Sequence, residues 1–104
     1  MASIYSKRLF GGYFSAAGVH TLFTAATGYV TIVRCITVAC YSANVNSGYI
    51  YVPGTLLLDG WSNIPQLTAQ IHEMRQVLNG GDVVDLDLTG SDVFVAISGY
   101  QLNL

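Results

Sequence analysis

RQVLNGGDVVDLDLTGSDVFVAISGY, residues 75–100, decides the fold. Over residues 82–88 the apolar side chains Val84, Leu86 and Leu88 fall on one face, and Asp85 and Asp87 fall on the other. Period-two alternation of this kind marks a half-buried β-strand. Asn79-Gly80-Gly81 places residues tolerant of positive φ just ahead of it, and Thr89-Gly90-Ser91-Asp92 supplies the next reversal. Val93, Val95 and Ile97 then line one face of a following strand, which Gly99 interrupts near the end of the chain. The stretch holds no recognisable catalytic residue and reads as scaffold.

The rest of the chain repeats the pattern. Residues 3–10 form a first strand, broken by Gly11-Gly12, and residues 19–25 form a second, followed by a turn at Ala26-Thr27-Gly28. Residues 29–41 form a long central strand rich in β-branched residues. Val30, Ile32, Ile36 and Val38 occupy one face of it with Arg34 as the exception, while Val33, Cys35 and Ala39 lie on the other. Both faces are mostly apolar, which predicts cover on both sides. A polar loop over 42–48 leads to a short strand, 49–52, stopped by Pro53-Gly54; another, 55–58, ends at Asp59-Gly60. Residues 66–78 are ambiguous: Leu67, Ile71, Met74 and Leu78 fit helical spacing, whereas Ala69, Ile71, Glu73, Arg75 and Val77 alternate as a strand. The strand is favoured because every neighbouring segment is one. The chain is therefore expected to be all-β: a single-domain β-sandwich or jelly roll of seven to eight antiparallel strands over residues 1–104, with 1–10 an N-terminal arm or edge strand.

Composition narrows the function. Charged residues are 10% of the 104, against roughly 25% in an average soluble domain. Hydrophobic residues reach 52%, and a chain this short cannot hide all of them in one core. A dispersed monomer would carry more charge, so part of the surface is expected to be covered by other copies or a larger assembly. A membrane does not explain it, because the longest apolar run contains Arg34 and falls short of the roughly 20 residues of a spanning helix. The first residues lack the apolar segment and cleavage site of a signal peptide, which predicts folding in a cytoplasm. Net charge is −2, and Lys7, Arg8, Arg34 and Arg75 are scattered along the sequence. No nucleic-acid footprint is expected from them.

The search for chemistry is brief. His72-Glu73 begins like a zinc-protease motif but no second histidine follows, and His20 stands alone. Cys35 and Cys40 sit on opposite faces of one strand, about 17 Å apart, too far to bond. Asp85 and Asp87 share a face at roughly 6–7 Å, which makes them weak calcium candidates, though a solvated strand face looks the same. No other metal, cofactor or catalytic residue is expected, and the chain is read as not an enzyme. The interface candidates are Tyr5, Tyr29, Tyr41, Tyr49 and Tyr51, with Trp61 as a possible third ring beside the Tyr49–Tyr51 pair, and Lys7 and Arg8 against a partner's acidic rim.

Four short elements, in order, resemble small all-β virion proteins of tailed bacteriophages. They are Thr21-Leu22-Phe23-Thr24, Gly28-Tyr29-Val30-Thr31-Ile32-Val33-Arg34, Gln76-Val77-Leu78-Asn79-Gly80-Gly81-Asp82 and Ser98-Gly99-Tyr100. The correspondence runs over roughly residues 8 to 102. The chain departs from the pattern at Ala25-Ala26-Thr27 and at Gly80-Gly81, where prolines are usual. The resemblance implies a structural component of the particle, made in the bacterial host cytoplasm: a capsid decoration or minor capsid protein. It would assemble as a homo-oligomer, a trimer being favoured, and bind a major capsid or tail protein. A tail- or fibre-associated module that binds carbohydrate or a receptor is the alternative.

Overall fold

The computed structural model describes residues 4–41 and 46–103, with side chains from residue 8 onward. Eight strands make up most of it: β1 (Ile4–Phe14), β2 (Gly18–Thr24), β3 (Tyr29–Cys40), β4 (Ser47–Val52), β5 (Leu56–Ser62), β6 (Thr68–Asn79), β7 (Val83–Thr89) and β8 (Val93–Asn103). They form two antiparallel four-stranded sheets. The front sheet has the order β1-β8-β3-β6 and the back sheet β2-β7-β4-β5. Only the β4–β5 turn stays within a sheet; every other connection crosses from one sheet to the other. This is a jelly roll, the double-sheet solution to closing an antiparallel fold.

The alternation of residues 82–97 accounts for the core. Val84, Leu86 and Leu88 come from the back sheet and Val93, Val95 and Ile97 from the front sheet, and all six are buried in one cluster. The reversal between them is not a hairpin turn. Gly90 and Asp92 both take positive φ there, and the chain passes over the end of the sandwich into the other sheet. β8 pairs with β1 and β3, and β7 with β2 and β4.

The central strand departs from simple period two. A bulge lies between Val33 and Cys35, so Arg34 is an extra residue relative to β8. Before it Val33 faces the core; after it Ile36, Val38 and Cys40 do. Ile32, predicted on the same face as Ile36, lies outside that core cluster although it is buried. The bulge presses β3 against β8 at Gly99, where a Cβ would stand 1.9 Å from the Ile32 carbonyl oxygen. Gly99 is therefore an obligatory gap for the bulge and not a strand terminator, and β8 continues to Asn103.

Residues 68–79 are a strand, and burial alternates along β6 with His72, Met74 and Leu78 turned inward. At the open edge between the sheets His72 Nδ1 lies 2.6 Å from Asp59 Oδ2 of β5, and Gly60 N donates to Asp59 Oδ1 at 2.8 Å. This contact joins the two sheets where no ladder does. Residues 4–10 are an edge strand paired with β8, and the strand runs through Gly11-Gly12 to Phe14. The two glycines do not break it: the Arg8 side chain lies over Gly11 and the Phe10 ring over Gly12. β5 likewise continues through Asp59-Gly60 to Ser62.

Gly99→Ala is expected to cost about 3 kcal/mol or more through forced overpacking against backbone. The urea midpoint should fall by about 1 M or more. A shift of only a few tenths molar would show that β3 and β8 do not approach so closely.

Candidate functional site

With the inner faces of both sheets closed on the core, the outer faces carry the accessible chemistry. Antiparallel pairing sets each in rows. On the back sheet Val19, Asp87, Tyr49 and Gly60 form one row, and Thr21, Asp85, Tyr51 and Leu57 the next. The rings of Tyr49 and Tyr51 are 5.3 Å apart and tilted by 43°. Tyr49 Oη–H donates to Asp87 Oδ2 at 2.8 Å, and this hydrogen bond to the protonated phenol is the main reason its pKa is raised above 10.0. Asp85 Oδ1 is buried with no hydrogen-bond partner among the described residues. Val19 and Leu57 flank the pair, 60% and 63% exposed.

Asp85 and Asp87 thus share the outer face, as the alternation requires. No group of three or more histidine, cysteine or acidic side chains that could hold a metal ion occurs among the described residues. Asp87 is engaged by Tyr49, so its local role is to fix that ring.

Trp61 is not part of this face. It pairs with Gly48, one residue out of phase with Tyr49, and is only 8% exposed. A Cβ on Gly48 would lie 2.7 Å from the indole, so glycine is what admits the ring to the core. Its Nε1–H donates to Asn46 Oδ1 at 3.1 Å, while Asn46 Nδ2 donates to the Ile64 carbonyl at 2.9 Å and contacts Cys40 Sγ at 3.1 Å. Asn46 is thereby the buried hub that ties the end of β3 to β5. A three-ring sugar platform of Tyr49, Tyr51 and Trp61 does not form, because alternation sends tryptophan and tyrosines to opposite faces.

The front sheet brings together residues that are far apart in sequence. One row is Arg8, Ser98, Cys35 and Glu73, and the next towards β6's start is Gly11, Ala96, Thr37 and Ile71. Arg34 is exposed at the bulge beside the first row, and Arg75 is exposed on the same face of β6 as Glu73. Three of the four basic residues that looked scattered, Arg8, Arg34 and Arg75, therefore occupy one level of one face. Among the described residues the only ion pair is His72–Asp59, so these guanidinium groups have no carboxylate of their own. Small side chains leave the middle of the face shallow, and Ile71 stands at its edge, 66% exposed. Cys35 lies on this face, half-buried, and Cys40 lies in the core; neither forms a disulfide.

At one end of the front sheet Tyr13 and Tyr41 are exposed, their rings 6.1 Å apart. Tyr13 donates its hydroxyl to Asp92 Oδ1, which raises the Tyr13 pKa. Tyr29 is half-buried. The side chains of Tyr5 and Lys7 lie outside the described residues. Sequence reasoning missed Arg34, Arg75, Leu57 and Ile71 as surface-forming residues. Strand register, which no single segment encodes, is what assembles them.

No protein-family model matches the chain, and no curated protein matches it. Solved structures similar to it include chains from infectious bursal disease virus. The Gx strain chain gives 10% identity and a TM-score of 0.46, covering 99% of this chain and 32% of that one. The Gt strain chain gives 14% identity and a TM-score of 0.38, covering 97% and 31%. The chain spans about a third of the length of these structures. Likeness at this level carries no inference about activity, and the functional reading rests on the surface itself.

Tyr49 and Tyr13 are protonated more tenaciously in the fold than in the unfolded chain. Whatever stability this adds is complete below the ordinary tyrosine pKa near 10.0 and disappears as pH rises through the raised values. Ultraviolet titration should show two tyrosines ionising late, and Asp87→Asn should return one of them to the ordinary range. A titration unchanged by Asp87→Asn would contradict the Tyr49–Asp87 contact.

Proposed function

We propose that this chain is a non-catalytic structural subunit of a virion, one that assembles with copies of itself and with other particle proteins. The observation that carries the reading is that both outer faces hold large exposed apolar side chains around few charges. Val19 and Leu57 do so on the back sheet, and Ile71 and Val77 on the front sheet. On the back sheet the Tyr49–Tyr51 pair lies between Val19 and Leu57, which makes a surface that a partner can cover. A jelly roll is a common architecture for capsid domains, and it is also used by lectins and cupins, so the fold supports the reading without deciding it. The ordered resemblance to small virion proteins of tailed bacteriophages points to a capsid decoration or minor capsid protein, made in the host cytoplasm. Two of those four elements have structural roles here: Gly99 makes room for the bulge, and Asp82 Oδ2 accepts from Asn79 N at 2.9 Å in the β6–β7 turn. The carbohydrate- or receptor-binding alternative loses its largest ring to the core and would rest on Tyr49 and Tyr51 alone.

Assembly of this kind works by removing apolar area from water, at about 25 cal/mol per Å². Leu57→Glu and Ile71→Glu alter exposed positions, so each variant should fold with an unchanged circular dichroism spectrum. Sedimentation velocity should show self-association weakened about ten- to hundredfold in one or both, the equivalent of losing one large buried side chain. Wild-type association in both variants would place the contact elsewhere.

A further inference from the structure

The two outer faces carry opposite charge. On the front sheet Arg8, Arg34 and Arg75 share one level with a single carboxylate, Glu73, so among the described side chains three cations and one anion leave the face at +2. On the back sheet the outward charges are Asp85 and Asp87, and no lysine or arginine lies on any of its strands. The remaining described acids are elsewhere: Asp59 is held by His72 at the sheet edge, and Asp82 and Asp92 lie in turns. The faces are also alike in apolar character, with Ile71 at the edge of one and Tyr49, Tyr51 and Leu57 on the other.

We propose that copies of this chain associate head to tail, the basic front face of one against the acidic back face of the next. This rests on the assembly reading and adds which surfaces meet and by what relation. Charge decides between the possible pairings. A front-to-front dimer would set arginine clusters against each other, and a back-to-back dimer would do the same with Asp85 and Asp87; like-charge juxtaposition opposes both. Front-to-back pairing instead supplies a planar donor fork to each carboxylate. Tyr49 and Tyr51 then lie beside the arginines, where aromatic faces favour a cation. The molecule extends 49 × 24 × 18 Å, so a broad face has room for the roughly 800 Å² per partner of a standard interface. A contact between two different faces is heterologous: it closes into a ring or continues as a filament.

The test uses two charge-reversed variants of the full chain: R8E/R34E/R75E and D85K/D87K, with D85N/D87N as a milder third. Circular dichroism establishes that each is folded, and size-exclusion chromatography with light scattering reads mass. Each reversed variant alone should be monomeric where the wild type associates. D85N/D87N should weaken association at least tenfold. An equimolar mixture of the two reversed variants should associate again, because each front face then meets a complementary back face. Folded variants that associate like the wild type would overturn the proposal while leaving assembly through another surface intact. A mixture that stays monomeric would also overturn it. Wild type that remains monomeric up to millimolar concentration would remove the assembly reading itself. If a single-stranded oligonucleotide binds saturably to wild type but not to R8E/R34E/R75E, and association is unaffected by the reversal, the basic level belongs to nucleic acid and the proposal fails.

Discussion

Val84, Leu86 and Leu88 of one sheet and Val93, Val95 and Ile97 of the other meet in a single core, and the rest of the structure depends on that contact. Each of these side chains contributes on the order of 1.5–3 kcal/mol when buried. Their two strands are consecutive in the chain but belong to different sheets, so the connection must cross the sandwich. Gly90 and Asp92 at positive φ permit the crossing, and the Tyr41 N–H bond to the Asp92 carbonyl, 2.9 Å, fixes where it lands. Once β7 and β8 lie in separate sheets, the other strands pair around them and the jelly roll follows.

This packing leaves each sheet with an inner face that is closed and an outer face that is not. Two polar contacts, one buried at Asn46 and one part-buried at His72, lie at the margins of the core. Asn46 joins Trp61, Ile64 and Cys40, and His72 joins Asp59 across the open edge. Both contacts hold the sheets in register without drawing on the outer surfaces. Those surfaces combine aromatic and aliphatic side chains with segregated charge, which suits contact with a partner of defined orientation.

The alternation in residues 83–88 was legible in the sequence because Asp85 and Asp87 mark one face and aliphatic side chains the other; β8, apolar on both faces with Phe94 and Ala96 outward, was legible from its β-rich run and the turn residues ahead of it. β6 was ambiguous in its own pattern and was read as a strand from its neighbours: an edge strand can expose Ile71 and Val77 while turning Met74 and Leu78 inward. The β3 register was not legible. Both its faces are apolar, so nothing in the local pattern marks the bulge at Arg34, and only the neighbour's Gly99 reveals it. Trp61 was misplaced on the surface because its partner in packing is a glycine thirteen residues away. The basic level at Arg8, Arg34 and Arg75 was invisible for a related reason, since it exists only after β8 has set β1 and β3 in register and β3 has set β6.

The central claim is that each sheet closes its inner face on the core and offers its outer face to another copy. Cys35 and Cys40 lie on opposite faces of β3 and report both halves of it. The direct measurement is the rate at which a thiol reagent alkylates each cysteine of the wild-type protein as concentration rises. The account predicts that Cys40 stays unreactive throughout, while Cys35 reacts in dilute solution and progressively slower as copies associate. A Cys35 rate independent of concentration up to millimolar protein would contradict it.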